Sequence, residues 1–396
     1  MSATLSALRH RNFRLFFVGQ TISMVGTWMQ QVAMSWLVYR LTGSAAMLGT
    51  IGFLSQLPVF LLSTVGGVLA DRYDRRKILF ATQGFAMLLA ACLAVLTLTG
   101  HAQVWSLILL SICSGIFNAL DMPARQSFIA DMVPAEDMSN AIALNASIFH
   151  GSRVVGPALA GLLVSVVGEG WCFSINAASF VAVLVGLAMM QTQFHAKPKK
   201  MSALQSTLEG FRFVWGHARI RRLLTLVASI SIFGMSYMVL MPIIADKVLH
   251  GGVRGMGILM GMSGVGALVG ALKLARRGHV EGLERRIALS IMGFSSLLIL
   301  FALCHHFWIA ALLMLPIGFC QVSQMASSNT LLQSMINNEY RGRVMAVYGV
   351  MFMGMMPFGA LLSGHVAHLI GTVATIVLGS SLTFCAGLVF LLKTRA

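Results

Sequence analysis

The chain has 396 residues, 57% of them hydrophobic and 10% charged, with a net charge of +16. A soluble domain carries about a quarter charged residues, so composition excludes a soluble enzyme or binding domain. Apolar runs of about 20 residues recur, each able to cross roughly 30 Å of hydrocarbon as a helix, and the ten-residue alternation of a membrane barrel is missing.

In chain order, spans are expected near 13–40, 45–70, 78–100, 104–130, 137–167, 171–193, 220–246, 254–275, 286–304, 307–335, 342–368 and 370–392. The first apolar run begins near Phe13 and is too long for a signal h-region, so it reads as the first span. If the amino terminus is cytoplasmic, twenty-three of the 28 Lys and Arg fall on inner segments. They include Arg9, Arg11 and Arg14, then Arg72 to Lys77, then Lys197, Lys199 and Lys200, and later Arg276 and Arg277. Only Arg40, Lys247 and Arg254 fall outside, with Arg125 and Arg153 within spans. This positive-inside bias puts both termini of a multi-pass membrane protein in the cytoplasm. The basic charge then reports topology and contact with anionic lipid, and no nucleic-acid partner is expected.

The first span carries Gln20, Thr27 and Gln31 on one face. The loop after the second span reads GGVLADRYDRRK, residues 66–77. The orientation rule accounts for its bases and leaves Asp71 unexplained. The fourth span holds Asn118, Asp121 and Arg125 on one face, and Asp131 stands at its inner end. Ionisable groups in a span are functional candidates. Asp121 is the only acid well inside one, and an acid in hydrocarbon surroundings is disposed to hold a proton. It either carries a coupled proton or neutralises Arg125; Arg153, in the fifth span, is the most economical compensating partner for Asp121 and a second proton-coupling candidate. His150 either titrates or packs. Asn145 adds a weaker polar candidate.

The fifth span continues as GSRVVGPALAGLL, with Gly151, Gly156, Pro157 and Gly161. Proline frees a carbonyl and permits a kink. The eighth span offers matching small residues at Gly257, Gly261, Gly266 and Gly270. The fifth span is therefore expected to cross the eighth. Between the sixth and seventh spans lies a polar, basic linker. Its part near 202–217 has helical apolar spacing at Leu204, Leu208, Phe211, Val214 and Trp215, suited to the membrane surface. Tyr237 on the seventh span and Gln321 and Gln324 on the tenth complete the substrate-cavity candidates, with Ser328 and Asn329 beside them. The run MFMGMMPF at 351–358 is either a soft wall for substrate or lipid-facing filler.

A shift of 203 positions overlays the fifth span on the eleventh: Glu136 on Glu339, Gly151 on Gly354, Gly156 on Gly359 and Gly161 on Gly364. Repeated halves are a frequent architecture of secondary transporters, with substrate bound between them. The expected division is 1–194, a linker at 195–219, and 220–396. The six cysteines are scattered and read as free thiols. There is no Walker loop, no HExxH and no nucleophile–base pair, so neither an enzyme, a metal nor a cofactor is expected. His305 and His306 read as a solvated pair.

With its Gly67, Asp71, Arg72, Arg75, Arg76 and Lys77, the loop at 66–77 resembles the signature of the major facilitator superfamily. Asp74 stands where many members have a glycine for a left-handed turn. The opening RNFRLFFVGQ, then MPARQSFIADMVP and SRVVGPALAG, resemble the bacterial branch with the enterobactin exporter and macrolide-efflux proteins. The resemblance implies an all-α membrane fold of twelve helices in two pseudo-symmetric six-helix bundles. It implies a cytoplasmic latch in which Asp71 faces the start of helix eleven and Arg75 or Arg72 pairs with Asp131. Glu339 and Arg341 would be the counterpart in the second half. The expected function is proton-coupled export of a bulky amphipathic molecule, a siderophore or a drug, by alternating access. The expected partners are that substrate, protons and membrane lipids, and the chain is expected to act as a monomer. A lipid or lysophospholipid transporter, or a non-transporting receptor or scaffold, are the alternatives.

Overall fold

The structure is a computed structural model and describes residues 3–191, 203–275 and 282–395. Lys197, Lys199, Lys200, Arg276 and Arg277 lie outside the described residues, as does the side chain of Leu204. The chain is all-α. The first half contributes α1 (Arg11–Thr42), α2 (Ala45–Arg72), α3 (Arg75–Leu98), α4 (Val104–Phe128), α5 (Met138–Val167) and α6 (Glu169–Met189). A shorter helix, α7 (Ala203–Gly216), follows. The seventh span is α8 (Ala218–Ser229) and α9 (Ser236–Ile243), with π-helical turns at Ile230–Gly234 and Ile244–Val248. Then come α10 (Gly252–Ala275), α11 (Leu283–Leu303) and α12 (Phe307–Ser334). The eleventh span is α13 (Asn338–Gly349) and α14 (Met356–Ile370), joined through a π turn at Val350–Gly354; α15 (Thr372–Arg395) is the last.

Among the described residues, eleven of these segments are long and apolar enough to cross a membrane. The remaining expected span is α1, whose 32 residues exceed the required length. Arg11, Arg14, Gln20, Gln30, Gln31 and Arg40 dilute its apolar character.

Two compact units divide the chain: Met1–Leu37 with Leu57–Ala203, and Val38–Gln56 with Leu204–Ala396. The corner joining α1 to α2 thus belongs with the second unit, and it turns on Gly43 at φ +58°. The internal repeat is visible in how each unit is built. In the first unit α3 packs on α4 and α6; in the second, α11 packs on α12 and α15. The α5–α6 junction turns on Gly168 at φ +86°, and the α14–α15 junction on Gly371 at φ +88°, 203 residues later. Only glycine takes that backbone at little cost.

The glycine contacts also repeat. A Cβ at Gly156 would stand 2.5 Å from Trp28 Cβ and 2.9 Å from the carbonyl oxygen of Val25, both on α1. At Gly359 it would stand 2.5 Å from the carbonyl oxygen of Ile232 in the seventh span. Gly266 of α10 lies against the Leu315 backbone of α12, and Gly318 of α12 against the Ser263 backbone of α10. These positions therefore join the fifth span to the first within the first unit, and the eighth to the tenth within the second. Small residues let any two helix backbones approach, and sequence spacing does not name the partner. Gly161, Pro157, Gly257 and Gly261 are buried, while Gly151 faces open space.

Candidate functional site

In the first unit, α3 and α4 run antiparallel and bring polar residues of both into an apolar interior. Asp121 of α4 is 6% exposed. Its Oδ1 accepts hydrogen bonds from Thr82 Oγ1 at 2.9 Å and Gln83 Nε2 at 2.7 Å, both from α3. Its Oδ2 lies 3.4 Å from Arg125 Nε, one helical turn on. Arg125 Nη1 reaches Gln20 Oε1 of α1 at 3.3 Å. Five side chains from three helices thus form one connected polar chain. A buried carboxylate is tolerated only when it is paired and hydrogen-bonded in this way. Asp121 takes its ion pair from Arg125. Thr82 and Gln83 are a finding of the structure: they carry no charge, and a search confined to ionisable groups passes over them. Their signal was adjacent polar side chains in an otherwise apolar span.

Pro123 sits between Asp121 and Arg125 and supplies no N–H to the carbonyl of Ala119, four residues back. That carbonyl is met by Gly66 of α2. The same local feature that loosens α4 beside Asp121 lets α2 approach it.

The remaining polar candidates separate by environment. Thr27, Gln31 and Asn118 are exposed, Asn145 and Arg153 half-buried. The Thr27 hydroxyl bonds its own helix at Ser23. His150 is half-buried, edge-on to Phe149, and its buried Nδ1 has no hydrogen-bond partner among the described residues. In the second unit Gln321 and Gln324 are buried on α12 near Ser327 and Ser328. Gln321 Nε2 lies 3.1 Å from Met235 Sδ. Tyr237 is 1% exposed and edge-on to Phe294. The π turn at Ile244–Val248 presents Asp246 to Tyr39, whose hydroxyl donates to its Oδ2 at 2.6 Å.

At the start of α3, Arg75 is 5% exposed. Its Nη1 stands 2.6 and 2.8 Å from the two carboxylate oxygens of Asp131, and its Nε donates to the carbonyl of Ala70 at 3.1 Å. Asp74 makes no left-handed turn. It has φ −59° and caps α3, accepting from the backbone N–H of Arg76 at 2.9 Å. An aspartate does this well because its side chain satisfies an otherwise orphaned helix amide. Arg76 donates to the carbonyls of Leu187 and Ala188 and so closes the end of α6. Asp71 is half-buried at the last turn of α2, Arg72 is exposed, and Gly67 has open space where a Cβ would stand. In the second unit Glu339 and Arg341 are exposed on the first turn of α13. The base that engages an acid there is Arg343, 3.1 Å from Glu209 of α7.

Among the described residues no three His, Cys, Asp or Glu side chains converge as a metal site. The transmembrane secretion effector family profile matches residues 2–395. The chain belongs to that family, a branch of the major facilitator superfamily. Its relatives include the staphyloferrin A transporter of Staphylococcus aureus, 27% identical over 388 residues that cover 96% of each chain. Another is the enterobactin exporter EntS of Shigella flexneri, 26% identical over 94% of this chain and 89% of that one. Solved structures share the fold. A POT peptide transporter superposes with a TM-score of 0.79 at 11% identity, over 98% of this chain and 94% of that one. The nucleoside transporter NupG gives 0.75 at 13% identity, over 96% and 99%. As a facilitator-superfamily member the chain is a multi-pass membrane transporter of a small molecule and not an enzyme.

Proposed function

We propose that this transporter exports a bulky amphipathic small molecule of the siderophore class, by alternating access driven by protons. The substrate class follows from two relatives that match nearly the whole chain, a staphyloferrin A transporter and an enterobactin exporter. The proton site is argued from one observation, the Asp121 cluster. An acid buried beside two neutral donors and one arginine has two stable arrangements. Ionised, it holds Arg125. Protonated, it keeps Thr82 and Gln83 as partners and weakens its hold on Arg125, which keeps Gln20 and becomes available to substrate. A proton thereby changes what Arg125 can bind. The moving bodies are the halves 1–194 and 220–396, joined by 195–219. The chain acts as a monomer in the bacterial inner membrane with both termini in the cytoplasm. Asp71, Arg72 and Gly67 with Glu339 and Arg341 form the closure on that side, and Arg75–Asp131 braces the first half.

The test is siderophore secretion from a deletion strain complemented with the wild type or with Asp121→Asn, with and without a proton uncoupler. The reading requires secretion that depends on the gene and collapses with uncoupler. Secretion by Asp121→Asn at the wild-type rate would remove Asp121 from coupling. Unchanged secretion in the deletion strain would remove the siderophore class.

A further inference from the structure

Within the second unit, at the end where the basic segments gather, the starts of α8 and α11 and the ends of α12 and α15 surround a cavity of about 920 Å³. Its floor is apolar, formed by Ile220, Leu283, Leu331, Met335 and Leu391. Its rim carries Arg219 and Arg285. Glu284 also lines it and holds Arg219 at 2.6 Å, so the rim keeps an excess positive charge centred on Arg285, which is exposed. The residues preceding α8 and α11, His217 and Gly282, place no side chain on the first amides of those helices. A second pocket of about 370 Å³ shares Gly282 and Arg285 with the first. It continues along α11 past Leu289 and Ser290 to Cys320 on α12. Leu289 is 51% exposed, on a helix that spans the membrane. Arg285 therefore stands where a cationic rim meets an apolar groove leading into the hydrocarbon.

We infer that this double pocket binds one anionic phospholipid, with its phosphate at Arg285, one acyl chain over the apolar floor and the other in the groove along α11. The charge complementarity selects an anion. The apolar floor selects a lipid over free phosphate, since an inorganic ion covers none of it and leaves that surface wet. The acid at the rim is already committed to Arg219 and stands beside the phosphate position without cancelling Arg285.

The experiment is native mass spectrometry of delipidated full-length protein titrated with dioleoylphosphatidylglycerol, dioleoylphosphatidylcholine or inorganic phosphate. The expected result is one retained phosphatidylglycerol per chain, with at least tenfold weaker binding of phosphatidylcholine. Arg285→Glu changes an exposed residue and weakens retention at least tenfold. Leu391→Trp fills the floor, keeps every charge, and weakens it as well. Wild-type retention in both variants overturns the proposal, as does equal binding of the two lipids. Displacement of the lipid by millimolar inorganic phosphate would make this a site for a free anion and overturn it too.

Discussion

Gly66 of α2 rests against the carbonyl of Ala119 on α4, the carbonyl to which Pro123 gives no N–H. A Cβ at Gly66 would also stand 3.1 Å from the Pro123 ring. Both neighbours are rigid, one backbone and one ring, so α2 itself must move. Gly66→Ala should cost about 1–3 kcal/mol, the range for overpacking a close contact, and Gly66→Val more. Thermal unfolding in detergent measures it. A Gly66→Ala protein as stable as the wild type would show that α2 and α4 are not in contact there.

The Asp121 cluster separates stability from coupling. Thr82→Val and Gln83→Leu each remove a neutral donor from a buried carboxylate and should cost about 1–3 kcal/mol. They leave the ionisable acid in place, so transport in proteoliposomes should still respond to an imposed pH gradient. Asp121→Asn keeps the shape and removes the charge. Transport should then proceed, if at all, without that response. A pH-gradient response retained in Asp121→Asn would place the coupling group elsewhere.

The fold was legible because a membrane writes it in large letters. Twenty-residue apolar runs and the gathering of arginines placed the spans to within a few residues, and the offset of 203 extends to Gly168 and Gly371, where the same left-handed turn recurs. Individual partners were less legible. Arg75 with Asp131 was reached through the family signature, since 56 residues of chain separate them. The surroundings of Asp121 were reached only in part. Arg125 is four residues away on the same helix, a spacing that any helix brings together. Thr82 and Gln83 belong to another helix, and their rotation toward Asp121 depends on how α3 packs. Asp74 meets the same limit: the residue suits a left-handed turn and a helix cap alike, and the backbone decides between them.

Arg75 and Asp131 should behave as one unit. Removing Asp131 leaves the buried Arg75 with an uncompensated charge, which costs about 3 kcal/mol, whereas removing Arg75 leaves a carboxylate that water reaches. Asp131→Asn and Arg75→Ala are each expected to lower the unfolding temperature. The double variant should lose less than the sum, with a coupling of about 1 kcal/mol or more. Arg75→Lys keeps charge and loses the bond to Ala70, so it should fall between. Strict additivity of the two single variants would show that the pair contributes nothing beyond its separate parts.

The linker helix α7 was expected to lie on the membrane through Leu204, Leu208, Phe211, Val214 and Trp215, and the structure divides that face. Leu208 and Trp215 are exposed at 60% and 72%, while Val214 is buried and Phe211 and Phe213 pack on the core of the second unit. Two further contacts hold α7 to α13. The ring of Phe213 stacks on Tyr340 with centroids 4.5 Å apart, and Glu209 pairs with Arg343. Gly210 decides the approach, because a Cβ there would stand 2.5 Å from the Arg343 carbonyl oxygen. The ion pair is largely solvent-facing and contributes only about 0.2–1 kcal/mol. Glu209→Gln should therefore raise amide exchange in 203–216 by less than about fivefold. Gly210→Val cannot dock without moving backbone and should raise it by tenfold or more, with α10 and α12 unchanged. Equal exchange in the wild type and Gly210→Val, followed by hydrogen–deuterium exchange, would show that α7 is not seated on α13.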